Sequence, residues 1–182
     1  MLRLRPFRSP DAKEIINWTS ESKEFYKWTA GIMGEYPVTE KRLLEAVSAR
    51  EDNTKYFPLV AFDEDGLAVF FTVRTPGEDD RKVRFGFVIV NPSKRGKGYG
   101  KQMLKLGLKF MFEIYGADEV GLGVFDNNPA AYNCYKSVGF KEIGIKKEYE
   151  LCGEKWTCIE MMNEIRCEMN LEFSGKMEHI YD

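Results

Sequence analysis

From Phe85 to Val90 the chain reads Phe-Gly-Phe-Val-Ile-Val, an almost unbroken apolar run that stops at Asn91-Pro92. A strand with one wet face alternates, whereas a strand without alternation is covered on both faces. The run therefore demands a sheet with layers packed on either side. Residues 100–115 follow with Met103, Leu104, Leu106, Leu108, Phe110, Met111 and Ile114, the broad apolar coverage of a buried helix. Glu119–Val124 then reads as a second short buried strand. Strand, helix and strand within about 40 residues make a βαβ unit, whose two strands run parallel. The fold class is α/β, or α+β once the remaining strands are added.

Those remaining elements flank the unit on both sides. Residues 2–8 alternate as a strand. Ser9-Pro10-Asp11 offers an N-cap, a proline at the first helical position and an early acid, predicting a helix over about 10–18. Residues 19–38 scatter Phe25, Tyr26, Trp28 and Tyr36 among glycine and polar residues without a clear period. A helix is expected over 39–50 and strands over 55–63 and 67–74, joined by the hairpin turn Asp63-Glu64-Asp65-Gly66. Asn128-Pro129 opens another helix that Gly139 closes, and strands over 140–151 and 155–163 complete the pattern. Residues 166–182 are polar and weakly patterned, so one domain spanning 1–165 with a tail is expected.

Composition removes several classes of function. With 182 residues, 43% apolar and 31% charged, the chain suits a single globular domain rather than a disordered or fibrous one. The 27 basic and 29 acidic residues leave a formal net charge of −2, so no global field draws it to nucleic acid or anionic membrane. No apolar run reaches the ~18 residues of a membrane span. Met1-Leu2-Arg3-Leu4-Arg5-Pro6 lacks the apolar core of a secretory signal, so a cytoplasmic protein is expected. The cysteines are Cys134, Cys152, Cys158 and Cys167, with no Cys-x-x-Cys pair, and His179 is the single histidine. Neither a metal site nor a histidine-based nucleophilic unit is expected from that set.

Chemistry concentrates between the buried strand and its helix, at Lys94-Arg95-Gly96-Lys97-Gly98-Tyr99-Gly100-Lys101. Three glycines in five residues allow a tight turn and close approach of a ligand to the backbone. The turn opens a helix, where unpaired N–H groups and the macrodipole favour an anion, and Arg95, Lys97 and Lys101 add cations. The physics describes a phosphate or pyrophosphate cradle. The spacing is neither that of a Walker loop nor that of the dinucleotide fingerprint. Taken alone, a solvated basic turn fits these residues as well.

Val90-Asn91-Pro92-Ser93-Lys94-Arg95-Gly96-Lys97-Gly98-Tyr99-Gly100 resembles the acetyl-CoA motif of the GNAT N-acetyltransferases. Asn127-Asn128-Pro129-Ala130-Ala131-Tyr132-Asn133-Cys134-Tyr135, ending in Gly139-Phe140, resembles the same family's second signature. Leu4-Arg5-Pro6-Phe7 before Asp11-Ala12 is similar to the ribosomal-protein-alanine and antibiotic acetyltransferase branches. The resemblance implies a GNAT fold: a mixed, mostly antiparallel sheet, helices on both faces, and a splayed parallel strand pair at the cofactor cleft. It implies that the backbone of Val88, Ile89 and Val90 holds the pantetheine arm, that Arg95, Gly96, Lys97, Gly98, Tyr99, Gly100 and Lys101 hold the pyrophosphate, and that Asn128 touches the arm. Tyr135 matches the general acid that protonates the departing thiolate. Read from the residues alone, Asn128 is an N-cap before Pro129 and Tyr135 a buried aromatic, with Tyr132 on another part of the helix and Asn127 an alternative to Asn128 by one residue.

The family's usual acids fall at Gly123 and near Arg84 here, leaving water or Glu21, Glu24 or Glu35 to assist the amine. Acetyl-CoA as co-substrate, no metal, and a small-molecule or peptide amine as acceptor are implied, with no nucleic acid or membrane partner; a homodimer is compatible with all of this. The missing acid keeps open a catalytically silent acyl-CoA-binding or regulatory module. Nucleic-acid binding through the basic turn is a third reading, which the net charge disfavours.

Overall fold

In the computed structural model, which describes residues 1–48 and 55–164, the chain orders as β1 (Arg3–Pro6), α1 (Ala12–Ile15), α2 (Ser22–Thr29), α3 (Glu40–Ser48), β2 (Tyr56–Asp63), β3 (Gly66–Arg74), β4 (Lys82–Val90), α4 (Tyr99–Lys109), β5 (Glu119–Phe125), α5 (Pro129–Lys136), β6 (Lys141–Leu151) and β7 (Glu154–Glu164). The seven strands form one sheet in the order β1-β2-β3-β4-β5-β7-β6. All neighbours are antiparallel except β4 and β5, the pair expected to be parallel.

The parallel pair is short. Its register covers Lys82/Glu119, Val83/Val120 and Arg84/Gly121, although β4 continues to Val90 and β5 to Phe125. Beyond Arg84 the strands part. The edge of β4 facing β5 therefore carries backbone groups with no strand partner, the arrangement the family resemblance implies. On its other edge β4 bulges: Thr72 faces Gly86 and Phe70 faces Ile89, so Phe87 and Val88 together oppose Phe71. Phe87 takes φ +47, a left-handed conformation that a bulge can impose, and its carbonyl accepts from Trp28 Nε1 at 2.8 Å.

A core lies on each face. On one, Phe71, Phe85, Leu122, Val124 and Met161 pack against Met103, Leu104 and Met111, with Tyr135 and Phe140 beside them. On the other, Val60, Phe70 and Ile89 pack against Ile15, Phe25, Trp28 and Leu43 of the first three helices. Phe25, Phe70, Phe71 and Phe140 are fully buried, and each side chain of this size contributes about 1.5–3 kcal/mol.

Local chemistry explains where the elements start and stop. Asn128 Oδ1 accepts the Ala131 N–H at 3.3 Å, Pro129 takes the first helical position, and Gly139 ends the turn at φ +101. Asp63 pairs with Gly66 across the expected hairpin turn. The helix expected over 10–18 is instead one α-helical turn between two 3-10 turns, Ser9–Asp11 and Ile16–Trp18. Arg8, not Ser9, is its N-cap, because the Asp11 carboxylate takes the Arg8 N–H at 2.8 Å and the Arg5 guanidinium at 2.7 and 2.8 Å. The helix over 100–115 is α-helical to Lys109 and then widens to a π turn through Tyr115. Cys134, Cys152 and Cys158 are free thiols. The tail 166–182, with Cys167 and His179, lies outside the described residues. No helix among the described residues is long and apolar enough to cross a membrane.

Candidate active site

The parting strands open into a cleft of about 680 Å³, an ordinary size for a small-molecule site. Val88, Ile89 and Val90 form one wall, the turn from Arg95 to Lys101 caps one end, and Asn128 and Tyr135 of α5 close the other wall. Glu21, Glu24 and Trp28 line the side that belongs to α2. Of the cofactor-binding residues and the general acid expected from sequence, Lys97 alone lies outside this lining; its Nζ donates to the Ser93 carbonyl at 2.8 Å.

The turn is held from beneath by its own side chains. Gly96 and Gly98 adopt φ +71 and +81, and a Cβ at Gly96 would meet no protein atom within 4 Å. Open space over a left-handed glycine at a helix N-terminus fits a bound diphosphate, since first-turn amides have no intrahelical acceptors. The cations do not crowd that space. Arg95 pairs with Glu24 and donates to the carbonyls of Trp18 at 2.7 Å and Val90 at 3.1 Å. Lys94 is buried and pairs with Asp63, whose second oxygen accepts the Tyr99 hydroxyl at 2.6 Å. Lys94 first, then Tyr99, holds the Asp63 carboxyl down at about 2. Asn91 completes the base of the turn, accepting the Ser93 N–H at 3.0 Å and donating to the Leu67 carbonyl at 3.0 Å. So the Arg95 and Tyr99 side chains fix the turn, which brings its glycine backbone and Lys101 to the cleft.

Tyr135 is buried, tilted against Phe140 at 6.0 Å between ring centres, and faces the cleft. Burial pushes its phenol well above the ordinary value, with Cys134 and Cys158 adding to the shift. It therefore stays protonated at neutral pH, the state an acid needs. Tyr132 turns away, its hydroxyl bonded to Glu142. Among the acids considered for the base, Glu24 is tied to Arg95, Glu21 lines the cleft, and Glu35 lies outside the lining.

Gly123 leaves no room for an acid: a Cβ there would sit 2.8 Å from Cys158 Sγ. In register with it on β7 is Glu160, buried, hydrogen-bonded to Lys147 at 3.0 Å and ion-paired with Arg84 at 2.6 Å. Burial alone would raise the Glu160 carboxyl, but Lys147 and Arg84 outweigh it and hold the group below its usual range. Sequence reasoning passed over Glu160, Asp63 and Lys94. A lone acid between the apolar Ile159 and Met161 was the available signal for the first.

Known proteins resemble this chain in sequence and in fold. Residues 1–141 match the family described as the acetyltransferase (GNAT) domain. An N-alpha-acetyltransferase of Sulfurisphaera tokodaii is 42% identical over 127 residues, covering 58% of this chain and 76% of that protein. A spermine/spermidine N(1)-acetyltransferase of Bacillus subtilis is 30% identical over 92 residues, covering 50% of this chain and 59% of that protein. The spermidine N-acetyltransferase of Vibrio cholerae, solved with CoA and spermine, superposes with a TM-score of 0.72 over 90% of this chain and 95% of its own, at 22% identity. That likeness is one of fold, while the family match runs from β1 to the start of β6 and takes in the cradle, the parted strands and α5. The chain belongs to the GNAT acetyltransferase family.

Proposed function

We propose that the protein transfers the acetyl group of acetyl-CoA directly to a primary amine within this cleft. The observation that carries the reading is the three-residue parallel pairing of β4 with β5: the strands part immediately above a glycine turn that opens α4, so one cleft joins free backbone edge, anion cradle and Tyr135. Bound there, acetyl-CoA supplies an activated thioester. The amides of Gly96–Gly100 and the start of α4 take its diphosphate, and the β4 edge at Val88–Val90 takes the arm and polarises the carbonyl, in the manner of an oxyanion hole. Asn128, already capping α5, faces it from the opposite wall.

An ordinary alkyl ammonium titrates near 10.4, so the acceptor must lose a proton before its lone pair can attack. Glu21 or water at the cleft mouth receives that proton. As the new amide bond forms and the carbon–sulfur bond breaks, the Tyr135 hydroxyl donates to the departing thiolate and the surplus proton on the acylated nitrogen passes through water to restore the phenol, giving an N-acetylated product and free CoA. The relatives' names, an N-alpha-acetyltransferase and a spermine/spermidine N(1)-acetyltransferase, support a primary amine as the acceptor.

The test is thiol release from acetyl-CoA across an amine panel. Tyr135→Phe is expected to lower kcat by about 10²–10⁴ while leaving CoA affinity near wild type. A protein that binds CoA and turns over no amine is the silent module instead.

A further inference from the structure

On the face of the sheet that carries α1 to α3, β5 offers glycine at both 121 and 123, so no side chain rises from it there. The Arg84 guanidinium fills this floor, Nη1 lying 3.3 Å from the Cβ position of Gly121 and Nη2 3.7 Å from that of Gly123. Nη2 meets Glu160 Oε2 at 2.6 Å, and Lys147 Nζ meets the other oxygen at 3.0 Å. Glu160 is 5% exposed, but Arg84 keeps 24% of its side-chain surface and Gly123 beside it is exposed. A guanidinium has five N–H donors. Among the described residues its charged partner is Glu160 alone, through Nη2, leaving Nη1 and Nε for something else. Two cations to one carboxylate also leave the floor with a net positive charge.

The floor adjoins the chemistry. β4 and β5 pair through Arg84 and Gly121 and separate directly after them, so the floor lies at the foot of the parted strands whose β4 edge lines the cleft at Val88–Val90. We propose that Arg84 recognises the acceptor, its free guanidinium edge binding a carboxylate carried close to the reacting nitrogen. The acceptor class is then an aminocarboxylate: a free amino acid, or a peptide N-terminus with Asp or Glu in its first positions. Forked, charge-assisted hydrogen bonds favour that group, and a polycationic amine meets a like charge instead. Glu160 and Lys147 are positioning residues that hold the fork. The same net positive charge favours the neutral form of the incoming amine, the form that attacks.

This rests on the N-acetyltransferase reading, and two measurements keep the failures apart. In the first, the wild-type protein and acetyl-CoA meet amidated peptides of equal length beginning Asp, Glu, Ala or Ser, together with free glutamate and spermidine. The carboxylate-bearing acceptors are expected to lead the neutral peptides in kcat/KM by about ten- to a hundredfold, with spermidine below both; comparing free glutamate with the peptides identifies the source of the carboxylate. In R84Q that ratio falls toward one, and in R84K, which keeps the charge but loses the fork, it falls part way. Preference for spermidine or neutral peptides, or an unchanged ratio in R84Q, overturns the proposal. In the second, calorimetry measures binding of an N-acetylated Glu-peptide, the expected product, to wild type and R84Q, each verified by its CoA-dependent thermal shift. Weaker binding to R84Q supports the proposal and equal binding overturns it, whether or not turnover is seen. Absence of turnover with every amine refutes the enzyme reading on its own.

Discussion

Gly100→Ala separates a glycine kept for the fold from one kept for a ligand. Gly100 is the second residue of α4, and its backbone is not left-handed, so nothing about its conformation requires glycine. A Cβ there would touch Val90 Cγ2 at 3.5 Å and Cys134 Sγ at 3.6 Å, both ordinary van der Waals contacts. Alanine is better than glycine inside a helix by about 0.5–1 kcal/mol. The free protein is therefore expected to gain stability, raising Tm by about 1–4 °C for a domain of this size. Val90 and Cys134 both line the cleft, however, so the methyl enters its throat between the β4 wall and α5. Crowding by one methyl in a fitted site is worth about 1–3 kcal/mol, or roughly ten- to a hundredfold in CoA affinity. Thermal unfolding of the free protein and titration calorimetry with CoA read the two effects separately. A raised Tm with unchanged affinity would mean that the ligand does not pass this point, and a lowered Tm would mean that the room inferred here is absent.

Other residues carry expectations of their own. Asp63 has its carboxyl at about 2 when folded against about 3.9 when unfolded, so its contribution to stability is complete above pH ~4 and vanishes as the pH falls through about 2. In Asp63→Asn, urea midpoints should lack that part of the acid loss, and the KM for acetyl-CoA should rise because Lys94 and Tyr99 lose their anchor; an unchanged acid profile would count against the buried pair. Gly123→Ala should destabilise by about 1–3 kcal/mol through contact with Cys158 Sγ, and the penalty should shrink in a Cys158→Ala background. Equal penalties in the two backgrounds would contradict the contact. Burial holds Tyr135 above the ordinary phenol value of about 10, so this residue imposes no alkaline loss of kcat below pH ~10. A loss between pH 8 and 9 that disappears in Tyr135→Phe would refute its placement.

Elements with a strong apolar pattern were legible because their two-sided burial is written in local spacing. The run ending at Val90 divides between the two cores, Phe85 packing with Met103, Leu104 and Met111 and Ile89 with Phe25 and Trp28, as a strand covered on both faces implies. Residues 19–38 were not legible, since α2 is specified by tertiary contact: Phe25 and Trp28 pack into the opposite core, and Trp28 is fixed by its bond to the carbonyl of a bulged strand. The first helix was misjudged for a similar reason. Asp11 satisfies the cap locally but is drawn to Arg5 on β1, and that ion pair accompanies a chain that turns after a single α-helical turn.

The two sides of the site differ in legibility because they are made of different material. A cradle for a diphosphate is built from backbone, and backbone that must turn left-handed and admit a ligand calls for glycine at fixed spacing, a signal that stays within one stretch of sequence. Arg95 looked like a ligand, yet it reaches Glu24 across 71 positions, and Lys94, not counted among the ligands, reaches Asp63 across 31, so their partners could not be read from the motif. The floor proposed to take the acceptor is made of side chains from three strands. Gly123 reads as a missing acid when taken alone and as vacated space once β7 is in register, because Glu160 then stands opposite it with Arg84 laid between. A substitution that looks like lost catalysis along one strand is, across the sheet, what lets a guanidinium lie flat on the floor. Acceptor choice is therefore expected to follow Arg84 and its neighbours on β6 and β7, while the glycine turn reports the acyl donor.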